Sequence, residues 1–324
     1  MNPGDTGPPP RRLLFVAANP SIDRLYEVDR LVTGTIHRPQ SIVAVPGGKG
    51  LNAARAAATL GGTVTAVGIV AGRAGDWIVE RLAALAIDAR MARSNGETRT
   101  CISVLDRSSG AMTEFYERGE EIERAAWDAL EAIVEIELEA GDVAAVAVSG
   151  SLPLGAPPDG YGRIARIAAA HPGPVPIFGD TFGPALAAVL IEGPTVVKLN
   201  ADEAGQSSAM AVSDASSAAA AGGVLRELGA TWVVVTLGSA GAVVVGPSEQ
   251  VHLVPPDLRG AYPVGSGDAF LGGLAVAYAR GGPIVDAARL GLAAGIANAQ
   301  IPGAGALDPT TVDGILGRIT QVSI

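Results

Sequence analysis

Val264-Gly265-Ser266-Gly267-Asp268-Ala269-Phe270 is the stretch on which the reading of this chain turns. Two glycines flank a serine, an aspartate follows at once, and residues 269–280 read as a helix of apolar and small residues. Such a turn presents backbone N–H groups at a helix start, where the helix dipole favours an anion, and sets Asp268 beside that anion as a general base. Phosphoryl transfer needs this geometry. A Gly-rich turn whose aspartate merely caps the helix has the same spelling, so the surrounding sequence must decide.

Upstream of the motif, residues 232–236 form a fully apolar strand, Leu237-Gly238-Ser239-Ala240-Gly241 turns tightly into a strand at 242–245, and 251–254 adds another. Gly238 and Gly241 suit contact with a flat nucleotide base, although hairpin turns use the same residues without a ligand. Asn200 and Glu203, three apart at a helix start, can face one side and meet a hydrated magnesium ion or a phosphate; a capping box explains the spacing equally well. Residues 207–223, rich in Ala and Ser, read as a loop and then a helix reaching Leu228.

Further out, strands at 143–148, 175–179 and 195–198 alternate with helices at 127–138, 161–170 and 185–191. This repeat implies a parallel sheet with helices on both faces, and each polar cluster follows a strand, on the ligand-binding edge. Ser149-Gly150-Ser151-Leu152-Pro153 and Asp180 fall there. Pro46-Gly47-Gly48-Lys49-Gly50-Leu51-Asn52 leads into an Ala-rich helix at 53–60, so backbone and lysine can approach an anion closely. It is not a P-loop, because Gly50 takes the place of the magnesium-binding Ser/Thr. A strand at 63–70 and a helix at 75–85 follow, and the first strand, 13–17, opens into Asn19-Pro20-Ser21-Ile22-Asp23, where Asp23 can receive substrate hydroxyls or cap a turn. Residues 24–45 and 98–116 have mixed, alternating polarity, the mark of half-exposed antiparallel strands, and read as one small sheet apart from the core.

Composition bounds the partners. The 324 residues are 48% hydrophobic and 17% charged, enough for a large α/β domain with an appendage. Residues 1–12, rich in Pro and Gly and lacking a signal peptide's apolar run, are expected to be a disordered tail, with the fold spanning 13–324. A net charge of −10 disfavours nucleic acid and anionic membranes, so bound phosphate must be met by a few local cations. The single Cys101 excludes an intramolecular disulfide, and His37, His171 and His252 have no zinc-ligand spacing; a reducing cytoplasm fits best. The longest uncharged run, 290–307, contains Asn298, Gln300, Pro302 and several glycines, which makes a poor membrane span.

Taken together, Asn19-Pro20-Ser21-Ile22-Asp23, Gly47 to Asn52, Ser149 to Pro153, Lys198-x-Asn200-x-x-Glu203, Thr236-Leu237-Gly238 and Gly265 to Asp268 resemble the ordered motifs of the PfkB, or ribokinase-like, carbohydrate kinases. The likeness runs from about Leu13 to the C-terminus. The Gly-Gly-Lys-Gly-Leu-Asn form, the Thr98-Arg99 pair and the tract 293–300 look most like the tagatose-6-phosphate kinase and 1-phosphofructokinase branch.

The resemblance implies a three-layer α/β/α fold with a mainly parallel central sheet and a small β-sheet lid that pairs with its twin in a homodimer. It implies ATP- and Mg2+-dependent phosphorylation of a ketohexose phosphate, with Asp268 as base and the N–H groups of Gly265, Ser266 and Gly267 as anion hole. Asp23, Gly47, Gly48, Lys49 and Asn52 would hold the sugar, and Arg99, with Ser151 and Arg38 nearby, its phosphate. Lys198, Asn200, Glu203, Thr236, Gly238 and Gly241 would face the nucleotide and its metal, Asn200 and Glu203 through water, with Asn298 beside the base. Two departures stand out: Leu199 replaces the usual proline between Lys198 and Asn200, and Glu117-Arg118-Gly119-Glu120-Glu121 replaces a Gly-Pro element beside the substrate, where its acids can repel a phosphate. A free-sugar or nucleoside kinase on this fold is the alternative; a non-catalytic sensor has no need of Asp268. An oxidoreductase is disfavoured because Phe270 stands where the dinucleotide motif has its third glycine.

Overall fold

The computed structural model describes residues 11–324, and the expected tail at 1–10 lies outside the described residues. Arg12, expected in that tail, instead opens the first strand and pairs with Glu137 and Asp142. The strands are β1 (Arg12–Ala17), β2 (Ser21–Val28), β3 (Ser41–Gly47), β4 (Val64–Ala71), β5 (Asp88–Ser94), β6 (Thr100–Asp106), β7 (Met112–Tyr116), β8 (Val143–Ser149), β9 (Ile177–Asp180), β10 (Val196–Asn200), β11 (Trp232–Thr236), β12 (Ala242–Val245), β13 (Gln250–Val254) and β14 (Thr320–Ser323). The helices are α1 (Lys49–Thr59), α2 (Gly72–Ala84), α3 (Arg124–Glu139), α4 (Gly160–Ala170), α5 (Gly183–Ile191), α6 (Ala201–Ser208), α7 (Ala215–Glu227), α8 (Ser266–Ala279), α9 (Ile284–Asn298) and α10 (Pro309–Leu316).

A ten-stranded sheet runs β14-β13-β12-β11-β10-β9-β8-β1-β4-β5. Every pair from β11 through to β5 is parallel, and the remaining pairs are antiparallel. The alternation of β1 shows why three layers form. Leu13 and Phe15 pack with Leu51, Ile78, Leu271 and Val312 on the α1, α2, α8 and α10 side, whereas Leu14 and Val16 pack with Trp127, Leu130 and Ile164 on the α3 and α4 side. Successive strand side chains point to opposite faces, so a run apolar at every position must be covered twice. In α3 the buried residues Ala126, Trp127, Leu130, Val134 and Leu138 recur at helical spacing, and burying each large one contributes about 1.5–3 kcal/mol.

The small sheet has the order β3-β2-β6-β7. Its β2 and β6 pair in parallel, against the expected all-antiparallel pattern, because the chain leaves β3 through α1, β4, α2 and β5 before returning as β6. The edge strands β5 and β14 were not expected: Asp88, Arg90 and Arg93 give β5 no apolar run, and β14 is exposed throughout. Helix α1 begins at Lys49 rather than at 53, which makes the lysine part of the helix start. Among the described residues no helix is long and apolar enough to cross a membrane.

Candidate active site

Beyond the C-terminal ends of β1, β8 and β9 lies a cavity of about 580 Å³, bordered by the small sheet and the start of α8. In a parallel sheet the loops at these ends gather ligands, and the order here reverses around β1, with β4 on one side and β8 on the other. Asp23, Lys49, Asn52, Arg99, Ser151 and Asp268 all line it. These residues come from five different segments, Lys49 and Asn52 sharing α1, and converge only in the fold.

Asn52 is the hub. Its Nδ2 donates to Asp268 Oδ2 at 3.0 Å and to Asp23 Oδ2 at 3.2 Å, so one amide holds the two acids. Gly48 N–H and Ser21 Oγ also donate to Asp23, at 3.2 and 2.6 Å. Gly47 is fixed by the same acid: a Cβ there would overlap the Asp23 carboxylate. Asn52 is itself oriented by buried Arg55, whose Nη1 donates to Asn52 Oδ1 at 3.2 Å and to the Ala304 and Pro46 carbonyls at 2.8 and 3.1 Å. An amide that accepts from arginine must turn its NH2 to the acids.

A second chain of charge underlies the first. Asp180, fully buried at the end of β9, accepts from Lys198 Nζ at 2.9 Å and from Lys49 Nζ at 3.4 Å, and Lys49 also donates to Glu203 Oε1 at 2.9 Å. Burial pushes the Asp180 carboxyl up, but Lys198 and Lys49 outweigh it and the net shift is downward. Burial likewise opposes the charge on Lys49, yet Asp180, Glu203 and Asp268 hold it well above the ordinary lysine range. Asp268 goes the other way: burial first, then repulsion from Asp180, raise it to about 6 against the pull of Lys49, Asn52 and Lys198. A carboxylate poised near neutrality is what a general base requires. The sequence places Asp180 on the ligand-binding edge but not between Lys198 and Lys49, because a lone acid at a strand end does not announce its two lysine partners.

Gly265 caps α8 with φ 84°, a left-handed conformation, and a Cβ there would stand 2.5 Å from Gly305 N and 2.6 Å from Ala304 Cα. No side chain caps this helix. The N–H of Ser266 turns back to Pro263 O at 3.2 Å, whereas those of Gly265 and Gly267 meet no acceptor among the described residues. The three-donor hole expected from the sequence thus has two free donors from its glycines. Lys198 Nζ lies 3.3 Å from where a Gly267 Cβ would be, placing a cation beside them.

Arg99 reaches the cavity beside the 117–121 segment; its Nη1 donates to Glu117 O at 3.2 Å and its Nη2 to Asn19 O at 3.1 Å. The acids of that segment do not line the cavity: Glu117 accepts from Thr100 N–H and Glu120 from Glu97 N–H, at 2.7 and 3.0 Å. Ser151 accepts from Asn19 Nδ2 at 3.1 Å. Arg38 does not line this cavity: it is exposed beyond the Glu27–Ser41 end of the β2–β3 ladder, opposite to the Gly47 end that meets Asp23.

At the start of α6, Asn200 and Glu203 form the capping box, with Asn200 Oδ1 accepting from Glu203 N–H at 2.8 Å and Glu203 Oε2 from Asn200 N–H at 3.0 Å. Thr236 Oγ1 donates to Leu199 O at 3.4 Å at the end of β11. Gly238 faces open space, as a surface for a flat base requires, while Gly241 is pressed against Leu253 O, a reason internal to the sheet. Asn298 is fully buried, and its Nδ2 holds the carbonyls of Tyr262 and Val264 at 3.3 and 3.0 Å, so it shapes the loop before Gly265. The Tyr262 hydroxyl continues this link to Glu27 of β2 at 3.0 Å.

The uncapped α8 start, Lys198 beside Gly267 and open Gly238 fit a nucleotide triphosphate. Among the described residues no three His, Cys, Asp or Glu side chains converge on a metal position. Mg2+ held largely by phosphate oxygens and water needs only one or two protein ligands, which Asn200 and Glu203 can reach.

A poised buried carboxylate beside an uncapped helix start, on the ligand-binding edge of a doubly covered sheet, defines a ribokinase-like phosphotransferase with an alcohol acceptor. The chain belongs to the pfkB family of carbohydrate kinases, whose model matches residues 16–311. Phosphofructokinase-2 from Escherichia coli in complex with fructose-6-phosphate is 26% identical, with TM-score 0.84, 95% of this chain covered and 99% of that one. A possible 1-phosphofructokinase from Thermotoga maritima has TM-score 0.85 at 21% identity, covering 97% and 99%. Ribokinase from Arabidopsis thaliana, complexed with ribose and ATP, has TM-score 0.71 at 20% identity, covering 95% and 98%. The last two share the fold.

Proposed function

We propose that this kinase transfers the γ-phosphoryl group of ATP to a hydroxyl of a ketohexose phosphate: tagatose 6-phosphate, fructose 1-phosphate or fructose 6-phosphate. The observation that carries this reading is the presence of Arg99 and Lys49 in the same cavity as Asp23 and Asp268. A free sugar needs no such cations, whereas a phosphate favours a guanidinium. The 26%-identical phosphofructokinase-2, described with fructose-6-phosphate, supports the same class.

In this reading Asp23 and Asn52 hold sugar hydroxyls, the backbone at Gly47 and Gly48 lets the ring approach, and Asp268 accepts the proton of the attacking hydroxyl. Arg99 and Ser151 hold the phosphate already present. The free N–H groups of Gly265 and Gly267, with Lys198, meet the charge on the transferred group. Asn200, Glu203, Thr236 and Gly238 face the nucleotide, the first two through water on Mg2+. Bound ATP supplies the phosphoryl group; the chain supplies position and charge.

One observation favours the free-sugar or nucleoside alternative: both terminal nitrogens of Arg99 already donate to carbonyls. A dianionic phosphate outcompetes neutral carbonyls for a guanidinium, so the sugar phosphate remains the better acceptor. An ADP-release assay over the three ketohexose phosphates, free fructose, ribose and adenosine decides the matter. A sugar phosphate with kcat/KM at least about 100-fold above every unphosphorylated acceptor is expected, from two charge-assisted hydrogen bonds. A free sugar or adenosine as the best substrate contradicts the proposal.

A further inference from the structure

Behind β3, away from the catalytic cavity, the small sheet, α1, α2 and the segment 301–307 enclose a second cavity of about 390 Å³. It shares no lining residue with the catalytic one. Its size is within the range of small-molecule sites. In a chain of net charge −10, its lining contains two arginines, Arg55 and Arg81, and no acid. The rest of the wall is mainly apolar, including Leu85, Ile301 and Leu307.

Arg55 gives the cavity its chemistry. The side chain is 7% exposed, and all three of its hydrogen bonds leave from Nη1. Nη2 and Nε donate to no group among the described residues, and the side chain to which they belong lines the cavity. Burial pulls this guanidinium down to about 10, opposed by Asp23 and Asp268, and it keeps its charge at neutral pH. A buried cation with two idle donors at the wall of an acid-free, mainly apolar cavity is short of hydrogen-bond acceptors on that side.

We propose that this rear cavity is a second binding site, for a small organic anion that sets a carboxylate or phosphate on Arg55 and an apolar body against Leu85, Ile301 and Leu307. The site is one side chain away from the reaction, since Nη1 of the same guanidinium holds the Asn52 amide that meets Asp23 and Asp268.

Hexanoate and hexan-1-ol, alike in apolar body and different in charge, form the probe pair, titrated calorimetrically into the full chain. Hexanoate is expected to bind the wild type at least tenfold more tightly than the alcohol. Ala84→Trp, from an exposed position on the cavity wall, is expected to weaken hexanoate at least tenfold while the thermal midpoint stays within a few degrees. Thr59→Trp, also from an exposed wall position, provides the same block should Ala84→Trp fail to fold. Absence of hexanoate binding, equal affinity for the two probes, or wild-type affinity in a folded blocking variant overturns the proposal; the last result would place the anion elsewhere, such as in the catalytic cavity. None of these readouts depends on turnover or on the identity of the sugar substrate.

Discussion

Asp268 sits among opposing influences whose balance is readable in a pH profile. Its carboxyl, raised to about 6, is protonated and unable to accept a proton below that pH, and becomes a base above it. The acid limb of kcat/KM is therefore expected to rise through an apparent pKa near 6. Lys49 is one of the charges holding that value down, so Lys49→Met should move the limb to higher pH as well as weaken the enzyme. A limb that stays in place in Lys49→Met, measured by initial rates across pH 5–9, would separate the titrating group from Asp268. Single residues also mark the limit of reading from sequence. Asp23, Lys49, Asn52 and Asp268 were legible because each stands in a Gly-rich or strand-end motif. Arg55 and Asp180 were not, since one looks like a surface arginine in an Ala-rich helix and the other like a turn acid; only the fold shows Arg55 turned to Asn52 and Asp180 between two lysines.

At the scale of elements, the strand β3 and the start of α1 act as one device for placing Asp23. Gly47 has no side chain because the Asp23 carboxylate occupies that space, so Gly47→Ala must push the acid aside. The backbone at this position is not in the left-handed region, and the substitution tests the clash alone. Loss of one or two hydrogen bonds to a charged group amounts to about 1.5–3 kcal/mol, which predicts a rise of about 10- to 100-fold in KM for the sugar substrate with KM for ATP nearly unchanged. A parallel rise in both constants would show a general collapse of the site. The buried strands β1, β8 and β11 were legible as apolar runs because both of their faces are covered. Strands β5 and β14 were not, because an edge strand can carry charge or exposure along its whole length. The parallel β2–β6 pairing was also invisible, since alternating polarity reports exposure and not direction.

At the scale of the whole molecule, the small sheet turns one face to the catalytic cavity, while the other walls the rear cavity at Ala44 and Pro46 and reaches solvent at Ile42 and Phe115. Strand alternation places Ile42 and Phe115 on the outer face, and they are 58% and 59% exposed. Large apolar side chains on an outer sheet surface suit burial against a second copy, the homodimer implied by the family resemblance. Light scattering is expected to give twice the chain mass for the wild type and the single mass for the double variant Ile42→Lys, Phe115→Lys; a dimer that survives both lysines would assign the contact to another surface. The inner face matters more for the reaction. Through Tyr262 and Glu27 it is tied to the loop before Gly265, so the small sheet and the start of α8 are joined by a chain of hydrogen bonds. The proposed reaction depends on one carboxylate, Asp268, and its most direct test is single-turnover phosphoryl transfer by Asp268→Asn with the best sugar phosphate, alongside its affinity for ATP. Transfer slowed by about 10²- to 10⁴-fold with ATP affinity within about twofold of wild type is the predicted result; transfer at the wild-type rate would contradict the assignment of Asp268 as the base.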